Sequence, residues 1–182
     1  MYTFCKILSG LFFKIFYRVK IEGEINIPDE QGFMICSNHI HAFDPALVVM
    51  ATQRKISFMV KKKLFEMPVV RAIMKNVGAF PVDRSKGDME SIKTAINILK
   101  DNNVISIFPE GTRHKDGVFR DIKKGAAMIA IRANSKIVPM RIIGNYKPFS
   151  KMIVRIGEPI ETVGLNKNDL TEKLQIAIEK LA

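Results

Sequence analysis

The chain has no tryptophan, only three tyrosines and only two cysteines among its 182 residues. Sites for single-stranded nucleic acid stack bases on aromatic side chains interleaved with Lys and Arg. Five aromatic residues instead lie together between residues 4 and 19, so no nucleic-acid partner is expected. Cys5 and Cys36 stand in apolar surroundings, and with three histidines they show no metal-ligand spacing. We therefore expect no metal site and two free thiols in a reducing cytosol.

Acidic residues are also scarce, with 18 Asp and Glu against 29 Lys and Arg, which gives a net charge of +11. Such an excess favours anionic partners, among them phosphorylated metabolites and anionic membranes. The length of the chain and its 47% apolar content predict one domain with a well-formed core.

No apolar run is long enough to span a bilayer, which takes about 20 residues. No small-residue cleavage site follows the first apolar stretch, which argues against a signal peptide. On a helical wheel, residues 4–19 gather an apolar face of Phe4, Leu8, Leu11, Phe12, Ile15 and Val19. The other face carries Lys6, Gly10, Lys14, Tyr17 and Arg18. The pattern predicts that residues 1–19 form an amphipathic helix at an anionic membrane interface. An ordinary helix packed on the core is the alternative.

The rest of the chain alternates between strand and helix patterns. Short apolar runs predict strands at 33–36, 57–60, 104–108, 137–142 and 151–156. Helical spacing and caps predict helices at 45–52, 88–100, 125–133 and 171–181, with Asp44 and Asp88 as N-caps. This alternation indicates the α/β class, with a mixed sheet flanked by helices over residues 20–182.

The first block with chemical content is Asn38-His39-Ile40-His41-Ala42-Phe43-Asp44, at a predicted strand-to-helix turn. A histidine near neutral pKa can remove a proton, and a carboxylate on its other ring nitrogen fixes the tautomer. His39 and Asp44 could supply these two roles. In the alternative interpretation, Asp44 only caps its helix and His39 is a hydrogen-bonded loop residue. His41 is a rival base two residues further on.

The second block, Phe108-Pro109-Glu110-Gly111-Thr112-Arg113, follows a predicted strand. It places a carboxylate, a flexible turn and a guanidinium side by side, an arrangement that suits a polyol phosphate. A second arginine, Arg84, ends the strand-like stretch that begins at Gly78. A single arginine is more often a solvated charge, and residues 109–111 could be a simple turn.

These blocks, together with Ile137-Val138-Pro139-Met140, resemble in order and spacing the glycerolipid acyltransferase family, most of all its bacterial 1-acylglycerol-3-phosphate acyltransferases. The resemblance covers residues 20–160. It implies transfer of an acyl chain from acyl-CoA or acyl carrier protein to the free hydroxyl of lysophosphatidic acid. The product would be phosphatidic acid for phospholipid synthesis, and no cofactor beyond the thioester would be needed.

The resemblance also implies roles for individual residues. His39 is the base, Asp44 orients it, and Arg84 and Arg113 hold the phosphate. Further substrate-binding residues are Lys61, Glu110, Gly111 and Thr112. His41 departs from the family, where a small residue is common, and we interpret it as a surface or supporting group.

The resemblance places residues 20–182 as a catalytic domain, held peripherally at the cytoplasmic face of the cell membrane. Two alternatives remain open within the enzyme class: acylation of glycerol 3-phosphate, or of another lysophospholipid. A third, of a different class, is a non-catalytic basic module that binds membranes or nucleic acid.

Overall fold

The computed structural model describes residues 2–29, 31–76, 78–82 and 88–182. Its strands are β1 (Arg18–Glu22), β2 (Phe33–Ser37), β3 (Ile56–Lys61), β4 (Phe80–Val82), β5 (Val104–Ile107), β6 (Lys136–Gly144) and β7 (Lys151–Ile156). Within the described ranges they form one seven-stranded sheet in the order β1-β7-β6-β2-β5-β3-β4. β6 and β7 are antiparallel, and the other neighbours are parallel. The predicted mixed sheet is confirmed.

Helices cover both faces of this sheet. They are α1 (Tyr2–Phe16), α2 (Asp44–Met50), α3 (Pro68–Asn76), α4 (Met89–Lys100), α5 (Gly125–Ala133) and α6 (Lys167–Glu179). α1 and α2 pack on one face, whereas α4, α5 and α6 form a layer on the other. The predicted α/β class, with helices flanking the sheet, is therefore confirmed.

The central strand β2 shows how the sequence builds these layers. Phe33 and Ile35 join the core beneath α1 and α2, while Met34 and Cys36 join the core beneath α4, α5 and α6. Alternate side chains of a strand point to opposite faces, so a strand covered on both sides is a continuous apolar run. Burial raises the pKa of the Cys36 thiol.

The N-terminal helix exists, but it ends at Phe16 and not at residue 19 as predicted. Residues Arg18–Glu22 form β1 instead, paired in parallel with β7. The orientation of the helix also differs from the prediction, because Tyr17 is buried and Lys6 donates its Nζ to the Thr52 carbonyl at 2.6 Å. The face predicted to be polar and solvated therefore partly faces the domain.

The outward face of α1 is apolar, and five of its residues are more than half exposed: Phe4, Ile7, Leu8, Leu11 and Ile15. Among the helices in the described ranges, none is long and apolar enough to cross a membrane. The interfacial position of α1 stays a prediction.

The predicted N-cap of α4 is confirmed, whereas the N-terminal ends of α6 and α2 differ from the prediction. Asp88 caps α4 as predicted, since its Oδ1 accepts the N–H groups of Glu90 and Ser91 at 3.1 Å. α6 begins at Lys167, four residues before the predicted start, because Asn166 caps it. The prediction that Asp44 caps α2 is wrong. Phe43 holds that position without a side-chain cap, because the Asp44 carboxylate turns toward the preceding loop.

Candidate active site

Parallel strands bring the two chemical blocks together at one edge of the sheet. β2 and β5 are neighbours, with Cys36 opposite Ile107, so the loops that follow them emerge side by side. Lys61 is the last residue of β3, the next strand beyond β5, and its side chain is exposed. Arg84 lies outside the described residues. The loop that contains His39 and the loop of residues 108–113 therefore lie next to each other.

His39 and Asp44 are in direct contact, with 2.7 Å between Nδ1 of the ring and Oδ2 of the carboxylate. The same oxygen accepts the backbone N–H groups of Ile40 and His41, both at 2.7 Å. The Asp44 side chain is fully buried, whereas 18% of the His39 side chain is exposed. With Nδ1 directed at the carboxylate, Nε2 is the ring nitrogen that can accept a proton from a bound molecule. The catalytic roles of both residues stay predictions.

Glu110 connects the two loops from the interior. Its Oε1 accepts the backbone N–H of His39 at 2.8 Å, and its Oε2 accepts that of Arg120 at 3.2 Å. The backbone N–H of His114 donates in turn to the His39 carbonyl at 2.8 Å. These contacts show that Glu110 orders the two loops, whereas the substrate-binding role predicted for it stays a prediction.

The turn after Glu110 carries the predicted phosphate-binding residues. Gly111 has φ +77°, a left-handed conformation that L side chains rarely adopt. Thr112 and Arg113 follow it, and both are exposed. Lys123, which the sequence analysis did not single out, extends its Nζ to 2.9 Å from where a Gly111 Cβ would stand. Arg113 in the turn and the Lys123 side chain that reaches Gly111 therefore place two cations beside the His39 loop.

Aromatic rings enclose the His39–Asp44 pair. Phe108 stacks on the His39 ring at a centroid distance of 4.0 Å and an interplanar angle of 16°. On the other side, the Tyr146 hydroxyl donates to Oδ1 of Asp44 at 2.5 Å, and its ring stacks on His41 at 4.2 Å. Sequence reasoning missed Tyr146, which lies 102 residues beyond Asp44 without any motif around it.

Asn38 attaches the first block to β6. Its side chain donates to the Ile142 carbonyl at 2.9 Å and accepts the Ile142 N–H at 2.7 Å, with 1% of the residue exposed. A side-chain amide can pair in this way with the backbone of a neighbouring strand. Asn38 therefore fixes where the chain leaves the sheet just before His39.

Comparisons with known proteins agree with this architecture. A sequence model described as Acyltransferase matches residues 18–143. The 1-acyl-sn-glycerol-3-phosphate acyltransferase of Bacillus subtilis is 33% identical over 190 residues, which covers 100% of this chain and 93% of that protein. The 1-acyl-sn-glycerol-3-phosphate acyltransferase of Streptococcus pneumoniae is 36% identical over 122 residues, which covers 65% of this chain and 44% of that protein.

A solved structure has the same fold. It is the 1-acyl-sn-glycerophosphate (LPA) acyltransferase PlsC of Thermotoga maritima, with a TM-score of 0.83. The match covers 98% of this chain and 77% of that chain at 23% identity, so it bears on the fold alone.

Proposed function

This chain belongs to the Acyltransferase family, and we propose that it transfers an acyl chain from a thioester donor to the free hydroxyl of 1-acyl-sn-glycerol 3-phosphate. The product is phosphatidic acid, a precursor of phospholipids. One observation carries the proposal: the 2.7 Å contact between His39 and the buried Asp44 in a member of this family. The names of the bacterial relatives support the choice of acceptor.

In the proposed reaction, His39 removes the proton of the acceptor hydroxyl through Nε2 while the hydroxyl oxygen attacks the thioester carbonyl. Asp44 holds the ring in the required tautomer and stabilises the imidazolium that forms. The tetrahedral intermediate collapses, the carbon–sulfur bond breaks, and the leaving thiolate recovers the proton from His39. The substrate supplies the nucleophile, so no protein serine or cysteine takes part.

The acceptor phosphate is proposed to bind three cations, of which Lys61 ends β3 and Arg113 follows the neighbouring β5. Arg113 and Arg84 are the proposed forks for the phosphate oxygens, and Lys61 adds a third charge. The Thr112 hydroxyl is within the same turn, and the left-handed Gly111 lets the backbone approach the ligand. Glu110 contributes by holding the two loops together.

The donor is proposed to be acyl-CoA or acyl carrier protein, and the thioester is the only cofactor-like group required. The enzyme is proposed to bind peripherally to the anionic cytoplasmic face of the cell membrane. The support is the exposed apolar face of α1 and the net charge of +11. A site held at the bilayer surface receives a lipid acceptor without its full transfer into water.

The test is an assay of purified protein with labelled acyl-CoA or acyl carrier protein and a panel of acceptors: lysophosphatidic acid, other lysophospholipids and glycerol 3-phosphate. The expected result is labelled phosphatidic acid from lysophosphatidic acid, lost in His39→Ala. Preferential labelling of another acceptor would replace the proposed substrate. If no acceptor is labelled with either donor, the proposed activity is wrong and the basic binding module gains support.

A further inference from the structure

Tyr146 is placed against the side of Asp44 that faces away from His39. Oδ2 of Asp44 is hydrogen-bonded to Nδ1 of His39 and to the backbone N–H groups of Ile40 and His41. Oδ1 accepts a hydrogen bond from the Tyr146 hydroxyl at 2.5 Å. Among the described residues, Tyr146 is the donor to Oδ1. Hydrogen bonds at both oxygens restrain rotation about the Cβ–Cγ bond of Asp44, which keeps Oδ2 directed at Nδ1 of His39.

Tyr146 is itself fixed on several sides. Its ring stacks on His41 at 4.2 Å, and it lies against Phe13 and Tyr17 with centroid distances of 6.5 and 5.9 Å. The Tyr17 hydroxyl donates to the Tyr146 carbonyl at 3.3 Å. Burial, together with the charge of Asp44, raises the pKa of Tyr146, so its hydroxyl stays protonated and able to donate.

We propose that Tyr146 is a positioning residue for the acyl transfer, which acts by orienting Asp44 and, through Asp44, His39. The inference rests on the proposed function, because it needs His39 to be the base. It extends the two-residue arrangement to a chain of three side chains, Tyr146–Asp44–His39, contributed by two distant parts of the sequence.

A purely structural role for Tyr146 is the competing explanation, since the ring also fills space between α1 and the His41 loop. The two roles separate in Tyr146→Phe, which keeps the ring and removes only the hydroxyl. Tyr17→Phe is the matched control. It removes a hydroxyl from the same aromatic cluster, and that hydroxyl bonds to the Tyr146 backbone and not to Asp44.

The experiment measures kcat, KM for each substrate and the unfolding temperature of wild type, Tyr146→Phe and Tyr17→Phe. A hydrogen bond to a charged group supports roughly a ten-fold effect or more. We therefore expect kcat of Tyr146→Phe to fall by about ten-fold, with both KM values within about two-fold of wild type. We expect Tyr17→Phe to keep the wild-type kcat. Equal kcat in the two variants, with or without a lower unfolding temperature, would overturn the inference.

A double-mutant cycle supplies the second measurement. Groups that act as a unit are strongly non-additive, so Tyr146→Phe should have no further effect on the residual rate of His39→Ala. A further ten-fold loss in that background would show that Tyr146 acts independently of His39, which contradicts the inference. Failure of the proposed function is separate, because the wild type would then show no transfer at all.

Discussion

The buried carboxylate of Glu110 accepts the backbone N–H of His39 at 2.8 Å, across 71 residues of sequence. The candidate base is therefore held by its ring, through Asp44, and by its own backbone, through Glu110. One carboxylate belongs to the first residue of α2 and the other to the loop that follows β5. Both must be in place for the His39 ring to have one orientation.

Glu110→Gln tests this connection. A glutamine keeps one acceptor oxygen but turns an NH2 group toward one of two backbone donors, so a partly buried N–H loses its partner. We expect the free energy of unfolding to fall by about 1–3 kcal/mol and kcat to fall with it. Chemical denaturation and steady-state kinetics are the measurements. The control is Glu158→Gln, at an exposed position. If the two variants are equally stable, Glu110 does not have this structural role.

His39→Ala and His41→Ala distinguish the two possible bases. His39 contacts the Asp44 carboxylate, whereas the His41 ring stacks on Tyr146 and its Nδ1 accepts the Phe43 N–H at 3.3 Å. We expect His39→Ala to lower kcat at least about 10²-fold, the usual contribution of a general base. His41→Ala should lower kcat much less than His39→Ala does. Circular dichroism checks that both variants fold, and a larger loss in His41→Ala would reverse the assignment.

The sequence predicted well those elements whose patterns are local. α4 combines a capping aspartate with apolar residues at helical spacing, and β2 and β5 are short apolar runs between polar segments. β1 was missed because Val19 also fits the helical face of α1, while its strand state depends on pairing with the distant β7. The capping prediction for Asp44 failed for a different, local reason, since the preceding loop offers its carboxylate the donors of His39, Ile40 and His41.

In the candidate site, too, contacts within one loop could be predicted from the sequence, and contacts between distant segments could not. The pairing of His39 with Asp44 could be predicted because only four residues of the same loop lie between them. The contact of Glu110 with the His39 backbone depends on β2 and β5 being neighbours, and that of Tyr146 with Asp44 depends on where the chain goes after β6. Strand order is a property of the whole fold, and no local pattern in one sequence encodes it.

Arg113→Lys tests the proposed phosphate site. Lysine keeps the positive charge but loses the planar fork that binds two phosphate oxygens at once. We expect KM for the phosphorylated acceptor to rise by roughly ten-fold, with KM for the thioester donor unchanged. Arg84→Lys should behave in the same way.

The control for this experiment is Arg120→Lys. Arg120 lies in the same segment but is exposed and forms an ion pair with Asp116, whose pKa it lowers to about 2. We expect its two KM values to match the wild type. If only the KM for the donor rises in Arg113→Lys, this arginine binds the thioester donor and not the acceptor phosphate.

The last prediction concerns the outward face of α1. Phe12 is a poor choice for substitution, because its ring packs on Phe43 at 5.5 Å and its loss would disturb the aromatic cluster. Leu8 and Leu11 are better, since 54% and 52% of these residues are exposed. Insertion of such a side chain into a bilayer is worth about 1.5–3 kcal/mol. Leu8→Glu with Leu11→Glu should therefore weaken binding to phosphatidylglycerol vesicles at least about 100-fold.

The matched control is Ile25→Glu with Val163→Glu, at two exposed apolar positions outside α1, 93% and 75% exposed. Both double variants change the net charge equally, so any difference between them comes from the apolar face of α1 and not from long-range attraction. Vesicle co-sedimentation at low and high salt is the measurement. The α1 variant should also lose activity on vesicle-bound acceptor and keep it on a short-chain, monomeric acceptor. If both variants sediment like the wild type, α1 does not make the membrane contact, and the basic residues Arg54, Lys55 and Lys61 to Lys63 are the next candidates for it.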